Sequence, residues 1–208
     1  MGKAFSNSHR LEIIDLLAQT PHTVEELANK MGLSLASTSQ HLQVLKAAKL
    51  VASKREGTYI WYNLSGDKAF AIWQAMREFA LHERPEIDRL MHDHYEDRFS
   101  LKTITAEELI QRMREEDVII LDVRPRDEFH AGHLPNAINI PVEELESSLQ
   151  TLPEGARIVA YCRASYCLLS DMAALLLKNN GYDVEVFQDG FPEWRILGLP
   201  YETEISNE

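Results

Sequence analysis

The chain has 208 residues, of which 45% are hydrophobic and 26% charged, with a formal net charge of −12. This length and composition predict one or two globular domains and exclude the fibrous and disordered classes. No apolar run approaches the ~20 residues of a spanning helix, and Met1-Gly2-Lys3-Ala4-Phe5-Ser6 lacks a signal-like apolar run, so a cytoplasmic protein with no membrane partner is expected.

Leu11, Ile14, Leu17 and Ala18 recur near the 3.6-residue period and predict a first helix ending near Thr20-Pro21. Thr23 followed by Glu26 has capping-box spacing, which starts a short helix from Val24 to Met31, and Gly32 breaks it. A third helix begins at Ser34 or Ala36. In it Leu35, Leu42 and Leu45 are expected to face inward, with Ser37, Thr38, Gln40, His41 and Gln43 mostly outside. Helix, Gly-containing turn and helix of these lengths make a helix-turn-helix, whose second helix enters the DNA major groove.

Two β-rich runs follow, Val51 to Arg55 and Thr58 to Leu64, joined at Glu56-Gly57, and they predict a hairpin with Lys54 and Arg55 near its tip. Residues 27–55 contain no acid, while Lys30, Lys46, Lys49, Lys54 and Arg55 supply five positive charges. Residues 1–98 are nearly neutral overall, and residues 99–208 carry almost all the excess acid. A basic stretch inside an acidic protein is expected to be a face that meets a polyanion.

The region from Asp67 to Phe99 reads as helical, with Ala69, Ile72, Trp73, Met76, Phe79 and Ala80 on one stripe, either core or dimer interface. Pro85 makes this helix kink or restart. His82, His92 and His94 lie here too. On a helix His92 and His94 point about 200° apart, so no metal site is expected.

Beyond Ser100 the pattern changes to alternating helices and apolar strands. Thr105-Ala106-Glu107-Glu108 caps a helix to about Glu116, and Val118 to Val123, Arg157 to Tyr161 and Asp183 to Phe187 read as buried strands. Helices from about Val142 and Leu168 complete a parallel α/β sheet, whose working site lies at the carboxyl ends of its strands. Cys162 stands at one such end, between a strand and a helix, where backbone amides and the helix dipole favour a thiolate or an anion. It opens the run Cys162-Arg163-Ala164-Ser165-Tyr166-Cys167, which holds the chain's two cysteines. Thiols this close suggest reactive chemistry rather than a structural disulfide.

The segment from Leu33 to Val51, with Ser37, Gln40-His41-Leu42 and Leu45 followed by the hairpin, resembles the ArsR-type winged-helix repressors over roughly residues 6–98. That resemblance implies a homodimer on a pseudo-palindromic double-stranded DNA operator, with Ser37, Gln40 and His41 at base edges or nearby phosphates. Lys46, Lys54 and Arg55 are the basic residues assigned to the same DNA face. Metal sensors of that family carry a cysteine motif in the helix that begins near Thr23. This chain has none there, which counts against an arsenic- or metal-responsive repressor.

A second resemblance, over roughly residues 101–203, is to rhodanese-type sulfurtransferases. It rests on Leu121-Asp122-Val123-Arg124, Glu128-Phe129, Gly132-His133-Leu134-Pro135-Asn136-Ala137, the Cys162 loop and Asp189-Gly190-Phe191-Pro192-Glu193-Trp194. It implies that Cys162 is the nucleophile for a small sulfur donor such as thiosulfate or a persulfide, with Arg163, Ala164, Ser165, Tyr166 and Cys167 forming the sulfur-binding loop. Related phosphatases and arsenate reductases use a loop one residue longer, ending in arginine. Here that position is Leu168. Asp122, Arg124 and His133 are implied to be structural residues near the site. Arg163 is expected to lower the thiol pKa, and Ala164 stands where related loops carry glycine. Cys167 either packs on the sheet or resolves a Cys162 persulfide.

The expected architecture is therefore a mainly α winged helix-turn-helix domain for DNA binding and dimerisation (1–98) and an α/β rhodanese-like domain with a parallel sheet (99–208). No cofactor is expected. The implied function is a DNA-binding regulator, a repressor, that senses or handles reactive sulfur through persulfidation of Cys162. The alternative is a sulfurtransferase enzyme with an accessory DNA-binding domain.

Overall fold

Thr23 does what its spacing to Glu26 predicts. Its hydroxyl accepts the Glu26 amide, and the Glu26 carboxylate accepts the Thr23 amide at 2.8 Å. This reciprocal cap starts a helix in a computed structural model that describes residues 1–83, 101–115, 118–164 and 167–204, the side chains of Leu81 and His82 excepted. The chain divides into two units, Met1–Arg84 and Pro85–Glu208. The expected boundary between Arg98 and Phe99 falls outside the described residues, as do Pro85, His92 and His94.

The first unit is a winged helix. Helix α1 (Gly2–Phe5) leads into α2 (Ser8–Gln19), which Asn7 opens by accepting the Arg10 amide and which buries Ile13, Ile14, Leu16 and Leu17. After β1 (His22–Thr23) comes α3 (Val24–Met31), ended by Gly32 in the left-handed region at φ 63. Ser34 then caps α4 (Leu35–Ala47) by accepting the Ser37 amide. The inward stripe of α4 differs from the expected one: Thr38, Leu42 and Leu45 are buried, whereas Leu35 is 51% exposed. Leu35 keeps the spacing of the 38/42/45 face, but it is the first helical residue and stands at an end of α4 where Ser34 and Ala36 are exposed too. Thr38 can be buried because its hydroxyl donates to the Ser34 carbonyl at 3.1 Å.

Strands β2 (Val51–Glu56) and β3 (Tyr59–Leu64) form the wing, and β1 pairs antiparallel with the outer side of β3. The register places Glu56 opposite Tyr59, so the turn is Gly57-Thr58, one residue later than predicted, with Gly57 at φ 61. Helix α5 (Asp67–His82) is tied to α2 through Asp15, which accepts the Trp73 indole N–H at 2.6 Å and pairs with Arg77 at 3.7 Å. Its apolar stripe divides. Ala69 and Phe70 are buried, Trp73 is half-buried, and Ile72, Met76 and Phe79 are exposed.

The second unit is α/β. Its described strands are β4 (Lys102–Ile104), β5 (Ile119–Asp122), β6 (Ile138–Asn139), β7 (Arg157–Tyr161) and β8 (Asp183–Phe187), all parallel in the order β4-β8-β7-β5-β6. Helices α6 (Ala106–Glu115), α7 (Arg126–Ala131), α8 (Val142–Ser148), α9 (Leu168–Asn179) and α10 (Phe191–Ile196) connect and cover it. Both faces are buried, as parallel sheets require. Alternation along β7 separates two cores. Ile158, Ala160 and Cys162 pack with Leu145, Ala173, Ala174 and Leu177, whereas Val159 and Tyr161 pack with Leu109, Leu134, Phe191 and Trp194.

Candidate functional site

Cys162 follows the last residue of β7 and keeps the strand's alternation, which drives its side chain under α9. It is 1% exposed. Its sulfur lies 3.4 Å from the Ser170 hydroxyl, 3.4 Å from the Cys167 carbonyl and 3.8 Å from the Ala164 carbonyl. The Cys167 amide donates to the Ala164 carbonyl at 2.9 Å and closes the chain around that sulfur. Ser165 and Tyr166 lie outside the described residues.

The two thiols differ in acidity. Burial pushes the Cys162 thiol well up, and the hydrogen bond and charge of Cys167 add to the effect, against opposing help from the Ser170 hydroxyl and the Ala164 backbone. Cys167 is held down at about 7. The hydrogen bond from Cys162 contributes most, and the Leu169 and Arg163 backbones and the Arg163 charge outweigh its partial burial. The described backbone thus acts on both thiols, Ala164 on Cys162 and Leu169 and Arg163 on Cys167.

Arg163 does not serve Cys162 in the way its adjacency suggests. Its guanidinium forms a two-pronged pair with Glu128, a fully buried carboxylate on α7, with Nε 3.0 and 2.9 Å from the two oxygens. Burial opposes the Arg163 charge, but Glu128 more than offsets it and raises the guanidinium pKa. Gly190 lets the chain after β8 press against this loop. A Cβ there would stand 2.1 Å from the Arg163 carbonyl oxygen and 2.5 Å from the Ala164 nitrogen. The Phe191 amide donates to the Cys162 carbonyl at 3.3 Å.

Asp122, Arg124 and His133 surround this arrangement without touching the sulfur. Arg124 is fully buried, donates to Asp122 at 2.6 Å and to the Gly132 carbonyl at 2.7 Å, and lies over the Phe191 ring at 4.7 Å. His133 donates from Nδ1 to the Phe129 carbonyl at 2.8 Å, and its ring stacks on Phe129 at 3.7 Å. Sequence reasoning did not single out Glu128 or Ser170 as site residues. Glu128 was visible only as part of a motif. Ser170 could have been found as the third residue of the helix that follows the loop, a position that looks back at the loop.

In the first unit, Gln40 is exposed on α4, and Ser37 and His41 are half-buried. His41 Nδ1 lies 3.4 Å from the buried Arg10 guanidinium, and its Nε2 is 3.5 Å from Ser37 Oγ. Desolvation first, then Arg10 and His9, lower the His41 pKa. Arg10, which sequence reasoning passed over, also donates to the Ala4 carbonyl at 2.8 Å and the Lys3 carbonyl at 2.6 Å, linking α1 to α4. Lys46 donates to Ser53 of the wing at 2.6 Å. On the wing, Lys54 pairs with Glu56 at 2.8 Å and the Arg55 Nε donates to the Gly57 carbonyl at 3.2 Å.

Two families match the two units: residues 5–54 match a helix-turn-helix domain, and residues 105–197 match a rhodanese-like domain. The chain is 38% identical over 205 residues to the HTH-type transcriptional regulator Rv0324 of Mycobacterium tuberculosis, which covers 97% of this chain and 88% of that protein. This chain belongs to the HTH-type transcriptional regulators. Within that family it joins an ArsR-type winged helix to a C-terminal rhodanese-like domain. The rhodanese-like half is similar to a sulfurtransferase of Allochromatium vinosum, with 31% identity over 47% of this chain and 91% of that one. The winged-helix half is similar to a homodimeric winged helix-turn-helix DNA-binding domain from Mycobacterium bovis, at 39% identity, a TM-score of 0.37, and coverage of 38% of this chain and 73% of that one. Among the described residues no helix is long and apolar enough to cross a membrane, and no group of three His, Cys, Asp or Glu side chains could hold a metal ion.

Proposed function

We propose that this transcriptional regulator acts as a repressor, binds a double-stranded operator as a homodimer, and adjusts its grip on DNA when Cys162 accepts a sulfane sulfur atom. The observation that carries this reading is the position of Cys162 at the carboxyl end of β7, with the Ala164 and Cys167 carbonyls and the Ser170 hydroxyl within 3.8 Å of its sulfur. Sulfur donors present an outer sulfur to a thiolate, and the Ser170 hydroxyl and the Ala164 backbone, which both favour the charged form of Cys162, are the groups that would support the resulting anion. Cys162 is 1% exposed, so uptake of the donor requires a rearrangement around its sulfur.

Dimerisation through α5 accounts for Ile72, Met76 and Phe79, which follow i, i+4, i+7 spacing on one exposed face. Base contacts are assigned to Ser37, Gln40 and His41, and phosphate contacts to Lys46, Lys54 and Arg55. Both cysteines lie in the second unit, so the effect of sulfur on DNA binding is conformational rather than a covalent transfer to a thiol in the first. The proposed domain bounds are 1–98 and 99–208.

Catalytic sulfur transfer is a second reading, favoured by the similarity of residues in the rhodanese-like half to a sulfurtransferase. Exposure to one equivalent of a persulfide followed by intact-mass analysis and peptide mapping tests the first. A sulfur atom delivered to Cys162 supports it, and an unmodified Cys162 rejects it. Multiple turnovers with thiosulfate and cyanide would favour the enzyme.

A further inference from the structure

The loop holds a pair of thiols, and the pair is arranged for a second step. We propose that Cys167 is a resolving thiol: once Cys162 carries a persulfide, Cys167 attacks its inner sulfur, expels hydrosulfide and closes a Cys162–Cys167 disulfide. This rests on the reading of Cys162 as the sulfur acceptor and names the state that outlasts the signal.

Three observations bring the two cysteines together. The Cys167 amide bonds to the Ala164 carbonyl at 2.9 Å, which folds the head of α9 back over the end of β7. The Cys162 sulfur lies 3.4 Å from the Cys167 carbonyl, and the Cys162 side chain is the largest influence holding the Cys167 pKa down. Ser170 joins both residues, its hydroxyl 3.4 Å from the Cys162 sulfur and 3.4 Å from the Cys167 carbonyl.

The division of labour follows from burial. Cys162 is enclosed, so a persulfide on it is sheltered from bulk thiols, whereas Cys167 is half-buried at the start of a helix. With its pKa held at about 7, a large fraction of Cys167 is thiolate at neutral pH, and thiolate is the attacking species in thiol–disulfide exchange. Attack forms the bond between the Cys167 and Cys162 sulfurs and breaks the bond between the Cys162 sulfur and the outer sulfur, which leaves as hydrosulfide. The donor persulfide supplies the oxidising equivalent. Its sulfane sulfur is reduced to hydrosulfide, the two protein thiols are oxidised to one disulfide, the rest of the donor leaves as a thiol, and no other oxidant is needed. A dithiol reductant restores the starting state.

The test uses the full chain and one equivalent of glutathione persulfide. Wild type is expected to lose the mass of two hydrogens and release one hydrosulfide per chain above a protein-free control. Cys167→Ser and Cys167→Ala should instead keep the mass of one added sulfur, mapped to Cys162, with hydrosulfide release falling to the control level. A wild-type protein that stays as a Cys162 persulfide and releases no hydrosulfide overturns the resolving role and leaves the acceptor reading standing. If neither wild type nor the Cys167 variants take up sulfur, the acceptor reading itself fails and the resolving role with it. Alkylation of wild-type Cys167 should rise with pH about a midpoint near 7, and Cys162→Ala should move that midpoint upward by removing the main hydrogen bond to the thiolate.

Discussion

The guanidinium of Arg163 pairs with both carboxylate oxygens of Glu128, which is wholly buried while Arg163 keeps 29% of its side chain exposed. The cation beside the reactive cysteine is therefore already matched by an anion. Glu128→Gln leaves the charge of Arg163 without its partner, and the unfolding free energy of the rhodanese-like unit is expected to fall by about 2–3 kcal/mol, less than for a fully enclosed pair because Arg163 can still reach water. Chemical denaturation followed by tryptophan fluorescence measures this, since Trp194 is buried in that unit. An unchanged transition would mean that the pair contributes nothing.

Gly190 controls how closely the chain after β8 approaches the cysteine loop. Gly190→Ala places a methyl group inside the contact distance of the Arg163 carbonyl and the Ala164 nitrogen, both backbone atoms that cannot swing away. The loop must shift, so the rate of Cys162 sulfuration should change several-fold while DNA binding without a donor stays at the wild-type level. Stopped-flow sulfur uptake and a DNA titration on the same preparation check both halves of the expectation.

The wing carries its own counter-charge. Because Glu56 pairs with Lys54, Glu56→Gln should tighten binding to all DNA sequences and steepen the log-affinity against log-salt slope, whereas Lys54→Ala should weaken binding uniformly and flatten that slope by about 1. Gln40→Ala acts differently. It should cost about 1–3 kcal/mol of discrimination at one operator position and leave the salt slope nearly intact. Fluorescence anisotropy across a salt series separates the two classes.

Phe79 is 70% exposed in the single chain and continues the line of Ile72 and Met76. Phe79→Glu should weaken the dimer by at least about 30-fold, the equivalent of losing one strong interface anchor of roughly 2 kcal/mol. Sedimentation equilibrium gives the result directly, and a dimer of undiminished stability would move the interface elsewhere.

Much of this was legible in the chain. The Thr23–Glu26 box, the stop at Gly32 and the two β-rich runs fix the winged helix locally, and the apolar run from Arg157 to Tyr161 puts Cys162 at the carboxyl end of a buried strand. What escaped depends on contacts distant in sequence or on where a polar atom turns. Thr38 reads as an outward residue, yet its hydroxyl folds back onto the Ser34 carbonyl and lets the side chain go inside. Arg163 reads as an activator of its neighbour until Glu128, 35 positions earlier, is brought against it. The acidity of Cys167 depends first on the Cys162 side chain beside it, and residue spacing does not encode that.

The central claim is that sulfur on Cys162 is felt by the DNA-reading unit. Operator affinity of the wild type and Cys162→Ser should be measured before and after one equivalent of a persulfide. The account predicts a change of several-fold or more in the wild-type dissociation constant and none in Cys162→Ser, with equal affinities before treatment. An operator affinity that stays the same in wild-type protein whose Cys162 has reacted fully with the donor would contradict it.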